Sequence, residues 1–109
     1  MTPVWYRVRD LAAGRAFYRG KLGFTETFVD LEGGWAKLER NGMEIGLAEG
    51  DPDEDGGVAL VDVADVKAVA EELRDAGVDV GVVLELHGEM RLLDVFDPDG
   101  NRLQFGQVL

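Results

Sequence analysis

The order strand, helix, three strands occurs twice in this chain, and Val8-Arg9-Asp10-Leu11 returns as Val63-Ala64-Asp65-Val66 about 55 residues later. One helix covers one face of a four-stranded sheet, so each repeat buries one sheet face and leaves the other open. In the first repeat Val4, Tyr6 and Val8 alternate with Trp5, Arg7 and Arg9, the period of two that marks a half-buried strand. Asp10 follows as a helix N-cap. Leu11, Ala12, Ala16, Phe17 and Leu22 then fall near helical spacing up to Gly23, which suits a C-cap. Three strands are predicted at 24–29, 35–40 and 43–48, separated by Gly33-Gly34 and by Asn41-Gly42. Asn-Gly favours a type I′ hairpin because both residues must adopt positive φ. A turn-rich acidic connector occupies 50–57. Beyond it come a strand at 58–63, a helix capped by Asp65 and closed by Gly77, and strands near 80–84, 89–96 and 102–107.

Composition removes several function classes. A chain of 109 residues fits one domain, 1–109, with module one at 1–49 and module two at 58–109. Twenty-two Asp and Glu against eleven Lys and Arg give a formal charge of −11, which repels phosphate backbones and anionic lipid heads. Neither a nucleic-acid nor a membrane partner is expected, and no apolar run approaches the roughly 20 residues of a membrane span. The first residues run straight into strand alternation without a signal-like apolar stretch, so a cytoplasmic location is expected. Cysteine and serine are both absent, which removes disulfides, thiolate or serine nucleophiles and cysteine-ligated zinc.

Three stretches carry a family resemblance: VRDLAAGRAFYRGKLGF, VADVKAVAEELRDAGV and GEMRLLDVFDPDGNRLQFGQ. With FYRGKLGF and DPDGN as its more specific elements, the chain resembles the vicinal oxygen chelate superfamily of glyoxalase I, extradiol dioxygenases and bleomycin resistance proteins. The resemblance implies an α+β fold of two tandem βαβββ modules, their strands forming a curved eight-stranded sheet. That half-barrel trough carries a helix on the outer face of each module. In metal-using members the resemblance implies ligands early in the first strand, in the fourth, early in the fifth and in the last. Those positions fall here at Pro3, at Glu44 or Gly46, near Val58, and at Gln104. Only Glu44 is a good donor, since a divalent transition metal prefers imidazole and carboxylate. No metal and no cofactor are therefore expected. Gln104 is either a pocket-lining group able to donate and accept a hydrogen bond, or a solvated strand residue.

If Val4, Tyr6 and Val8 face the helix, Trp5 and Arg7 face the trough, and by the same alternation so do Trp35, Lys37 and Glu39. Indole faces suit planar ligands and attract cations. Either tryptophan can instead belong to a contact between copies, where aromatics are also enriched. The candidate ligand-binding set is Trp5, Arg7, Phe28, Trp35, Glu44, Leu60 and Gln104. No catalytic residue is assigned. The leading expectation is a metal-free binder that sequesters a cationic or planar antibiotic in a groove at a homodimer interface, as the resemblance to bleomycin resistance proteins implies. The alternative is a divergent metal-dependent enzyme of the glyoxalase or dioxygenase type.

Two further features favour a structural role. Asp51, Asp53, Asp55 and Gly56 match part of an EF-hand loop, with Asp62 at the twelfth place, but strands rather than helices flank them. His87 has no second His or Cys to act with and reads as a loop residue.

Overall fold

The computed structural model describes residues 4–52 and 56–109. Their order is β1 (Val4–Val8), α1 (Leu11–Gly20), β2 (Thr25–Asp30), β3 (Trp35–Arg40) and β4 (Met43–Glu49), followed by β5 (Ala59–Asp62), α2 (Val66–Asp75), β6 (Asp79–Leu86), β7 (Met90–Phe96) and β8 (Arg102–Val108). The eight strands form two mixed sheets of four, ordered β1-β4-β3-β2 and β5-β8-β7-β6. In each, the first strand of the repeat runs parallel to the last and the remaining pairs are antiparallel.

Both repeats start their helix with the same chemistry. Asp10 accepts from the Ala13 N–H and Asp65 from the Ala68 N–H, each at 3.1 Å, satisfying one of the orphan donors of the first turn. A second orphan is taken from the sheet: Glu49 accepts from the Leu11 N–H and Gln107 from the Val66 N–H. Helix α1 ends at Gly20, earlier than the spacing predicts: beyond Lys21 the Leu22 N–H turns back to the same Phe17 carbonyl and the Phe24 N–H to the Tyr18 carbonyl, closing the last turn. Gly23 then turns the chain toward β2 with φ +72°. Gly14 sits in α1 because a Cβ there would come within 3.0 Å of Val8, so its absence lets the helix close on β1. Asn41 and Gly42 adopt φ of 51° and 84°, the hairpin conformation their pairing requires.

The second strand of each repeat carries one extra residue at the same place. Glu26 pairs with Leu38 and Phe28 with Lys37, so Thr27 is the extra residue. In the second repeat Gly81 and Val82 oppose Asp94, between the Val80–Val95 and Val83–Leu93 pairs. A strict alternation would turn Phe28 to the same side as Glu26, toward the helix. The bulge turns it to the open face instead.

Buried side chains from both repeats join in one cluster, which includes Tyr6, Val8, Tyr18, Leu38, Ile45, Val61, Val66, Leu93 and Phe105. Polar bonds fix the modules on each other. Tyr6 Oη donates to the Arg102 carbonyl (2.7 Å) and accepts from the Ala59 N–H (2.9 Å). Tyr18 Oη donates to Asp97 (2.8 Å), and Asn101 Nδ2 donates to both the Arg7 carbonyl and Asp97. Asn41 reaches the Asp62 carbonyl, and the Arg40 guanidinium lies 4.9 Å from the Phe105 ring centroid while donating to the Leu22 carbonyl. Burial holds Arg40 below the usual guanidinium range.

Burial also pushes the Tyr6 phenol up to about 12, with the Asp97 charge adding to it and the bond from Ala59 opposing it. Tyr18 is raised as well, first by burial and then by the charge of Asp97. An unfolded tyrosine titrates near pH 10, so both groups contribute stability that is fully present below that pH. As pH rises from 10 toward 12 the unfolded chain releases protons the native chain retains. Stability should then fall by on the order of 1.4 kcal/mol per pH unit for each phenol. Urea unfolding at pH 9, 10 and 11 checks this: Tyr6→Phe should show a shallower decline, and a flat profile in the native protein would contradict it.

Candidate functional site

The helix-free face of the first sheet carries an aromatic cluster. On β1, Tyr6 and Val8 are buried against the helix side, while Trp5 and Arg7 point the other way and are exposed. On β3, Ala36 and Leu38 are fully buried, and Trp35 and Lys37 take the open face. The Trp5 and Trp35 rings lie 5.7 Å apart at 55°, and the Phe28 and Trp35 rings 4.7 Å apart at 35°. Trp5 is 44% exposed and Phe28 49%, so these rings present faces to solvent and do not simply fill a core.

Local backbone explains how each ring is held. Trp5 stands beside Gly46 in the parallel β1–β4 ladder, and its indole lies over that glycine. Trp35 pairs with Ala48, another small residue, and Phe28 reaches the cluster through the bulge at Thr27. Glu44 sits on the same face, 3.7 Å from Lys37 Nζ. Both are partly exposed, so this ion pair contributes little stability by itself. Arg7 stands at the end of β1, opposite Ala48.

The open face of the second sheet is aliphatic. Leu86, Met90 and Val108 form one row across β6, β7 and β8, and Leu84, Leu92 and Gly106 the next. Leu60 lies over Gly106 from β5 together with Met90 and Leu92. One polar group interrupts the surface: Gln104 Nε2 donates to Asp94 Oδ1 (3.0 Å), and Arg102 Nε donates to the same oxygen (2.9 Å). Gln104 is partly buried, and its carbonyl oxygen has no protein hydrogen bond among the described residues.

Of the seven sequence-derived candidates, the structure brings Trp5, Phe28 and Trp35 into direct ring contact and sets Glu44 beside them on Lys37. Leu60 and Gln104 lie on the other sheet, paired with each other in the β5–β8 ladder. Asp94, Arg102, Leu84, Leu86, Met90 and Leu92 are not among the sequence-derived candidates. Applying to β7 the alternation used for Trp35 and Lys37 would have placed Met90, Leu92 and Asp94 on the open face. His87 occupies a turn with φ +52°. Asp53 and Asp55 of the acidic connector lie outside the described residues, as does Pro3.

At the positions where the resemblance implies metal ligands, the described residues offer few donors. Gly46 has no side chain, Val58 has no lone pair, and Gln104 offers a neutral amide already bonded to Asp94. Glu44 is the one carboxylate among them, and it pairs with Lys37. Among the described residues no group of three or more His, Cys, Asp or Glu converges on a point. A depression of about 660 Å³ lies elsewhere, between α1 and β2, lined by Ala16, Arg19, Gly20, Phe24, Thr25 and Glu26. Its charges are paired: Arg19 lies 3.5 Å from Glu26, and neighbouring Arg15 donates twice to the same carboxylate, which holds it below the usual range. No described helix is long and apolar enough to cross a membrane.

Residues 2–105 match the family model described as Glyoxalase/Bleomycin resistance protein/Dioxygenase superfamily. No curated protein sequence matches the chain. Among solved structures, an integron cassette protein from the mobile metagenome of the Halifax Harbour sewage outfall aligns at a TM-score of 0.86 and 22% identity, over 99% of this chain and 97% of that one. A bleomycin-binding protein from the bleomycin producer Streptomyces verticillus, complexed with copper(II)-bleomycin, aligns at 0.74 and 22%, over 95% and 92%. The genomically encoded fosfomycin resistance protein of Listeria monocytogenes aligns at 0.80 and 17%, over 100% and 93%. At these identities the likenesses show a common fold.

Proposed function

Because the chain belongs to the Glyoxalase/Bleomycin resistance protein/Dioxygenase superfamily, we propose that its open sheet faces serve the small-molecule side of that family. In this reading the protein binds a planar, ring-bearing antibiotic-like ligand without a metal, and does so as a homodimer whose second copy covers the exposed faces. The observation that carries it is the solvent-facing cluster of Trp5, Phe28 and Trp35. Three partly exposed rings on one sheet face cost burial energy that a ligand ring can recover by stacking. The net charge of −11 favours a cationic ligand, which the indole faces also attract. Two-fold pairing would shield the aliphatic face around Leu84, Leu86 and Met90 from water.

Thermal shift against planar cationic and glycopeptide-type antibiotics tests the reading. A ligand present at 100 times its Kd should stabilise the fold by about 2.7 kcal/mol, which moves the transition by many degrees. No shift with any planar compound would overturn it. The enzyme reading needs a metal, and metal analysis of the purified protein separates the two: stoichiometric nickel, zinc, iron or manganese would favour the enzyme.

A further inference from the structure

We propose that Gly46 and Trp5 form a matched pair that decides what the open face of the first sheet accepts. The absent side chain at 46 lets the Trp5 indole lie flat on β4 as a floor for planar rings. The indole thereby fills the room from which position 46 could present a metal donor, leaving Glu44 as the one carboxylate β4 turns to this face. The ligand half of this inference rests on the ring-binding reading above; the pairing itself does not.

The geometry is restrictive. A Cβ built on Gly46 would lie 2.5 Å from Cδ2 and 2.6 Å from Cζ3 of Trp5, and closer still to Cε3. Real Cβ atoms do not approach other atoms so closely, and the obstacle is the rigid body of a bicyclic ring, not the tip of a flexible chain. A side chain at 46 and a flat indole at 5 therefore exclude each other. Any donor placed at 46 would have to tip the indole off the sheet.

The two repeats have diverged at this point. In the second sheet the position matching Gly46 in register is Gln104, opposite Leu60, as Gly46 is opposite Trp5. There the polar side chain is kept and bonded to Asp94, and Leu60 leans instead over Gly106, whose Cβ would lie 3.0 Å from Leu60 Cδ1. One sheet thus has an aromatic floor where the other has an amide. Flatness also explains why an indole that remains 44% exposed is held by the backbone beneath it, with Trp35 as its side wall.

A stability cycle tests the pair without any ligand. Gly46→Ala should lower Tm by about 4–8 °C with Trp5 present, the shift expected when a well-packed ring must move. In the Trp5→Ala background the same change should leave Tm unchanged or raise it, because alanine suits a strand better than glycine. An equal loss in both backgrounds overturns the proposal. In a Trp35→Phe chain, where Trp5 is the sole tryptophan, Gly46→Ala should increase acrylamide quenching; unchanged quenching also overturns it. The ligand half is read with proflavine, a planar cation. The native protein should bind it, and Gly46→Ala, with its circular dichroism intact, should bind about tenfold more weakly. Equal binding by the two would overturn the selectivity role while leaving the ring-binding reading standing. Absence of proflavine binding by the native protein, with the stability cycle as expected, would keep the pair and remove its ligand role.

Discussion

Asp97→Ala should destabilise the protein by about 3–5 kcal/mol, a large part of the 5–15 kcal/mol that a domain of this size commonly has. Asp97 is only 5% exposed, and its carboxylate accepts from Tyr18 Oη, from the Asp99 and Asn101 N–H groups and from Asn101 Nδ2, all at 2.8 to 2.9 Å. Truncation strands a buried phenol and a buried amide together, and each unsatisfied group costs roughly 1–3 kcal/mol. The loss also reaches the module junction. Tyr18 comes from the first repeat, and Asn101 donates to the Arg7 carbonyl of β1. Asp97→Asn, which keeps the shape and one acceptor oxygen, should fall between the native protein and the alanine variant. Urea unfolding measures both; a cost below 1 kcal/mol for Asp97→Ala would show that DPDGN is not the clasp this geometry makes it.

Trp35→Ala should weaken binding of a planar ligand by about 10- to 100-fold, or 1.4 to 2.8 kcal/mol, because Trp35 is the ring that touches both others. Its removal separates Phe28 from Trp5 and leaves two isolated rings where three formed a surface. The fold should survive, since the buried side of β3 is carried by Ala36 and Leu38. Val82→Ala supplies the contrast: Val82 occupies the matching bulge of the second repeat, is 72% exposed, and should leave affinity unchanged. Calorimetry of both variants with one ligand is the check. Equal affinity in Trp35→Ala and the native protein would place the ligand elsewhere.

The doubled βαβββ order was legible because its signals are local. Asp10 and Asp65 cap where an N-cap must stand, Asn41-Gly42 forms the turn its φ values demand, and simple alternation gives the correct faces of Trp5 and Trp35. What alternation cannot show is a residue that breaks it. Thr27 is such a residue, and the face of Phe28 depends on it. The bond from Gln104 to Asp94 depends on cross-strand register, which no single segment encodes. The resemblance leaves the fourth-strand ligand position at Glu44 or Gly46, and only the placement of the neighbouring indole shows what lies over Gly46. The junction was equally hidden: Tyr6, Tyr18, Arg40 and Asn101 look like ordinary core or turn residues until their partners, dozens of positions away, are known. Strand and helix ends differ by a few residues from the pattern, as at Gly20, where a cap closes the helix before its apolar spacing ends.

The most direct test of a ring-binding, metal-independent face is a calorimetric titration of a planar cationic antibiotic into the native protein held in excess chelator. Saturable binding that quenches tryptophan fluorescence and is indifferent to the chelator is the predicted result. Binding that vanishes with the chelator and returns on addition of one equivalent of a divalent metal would contradict it.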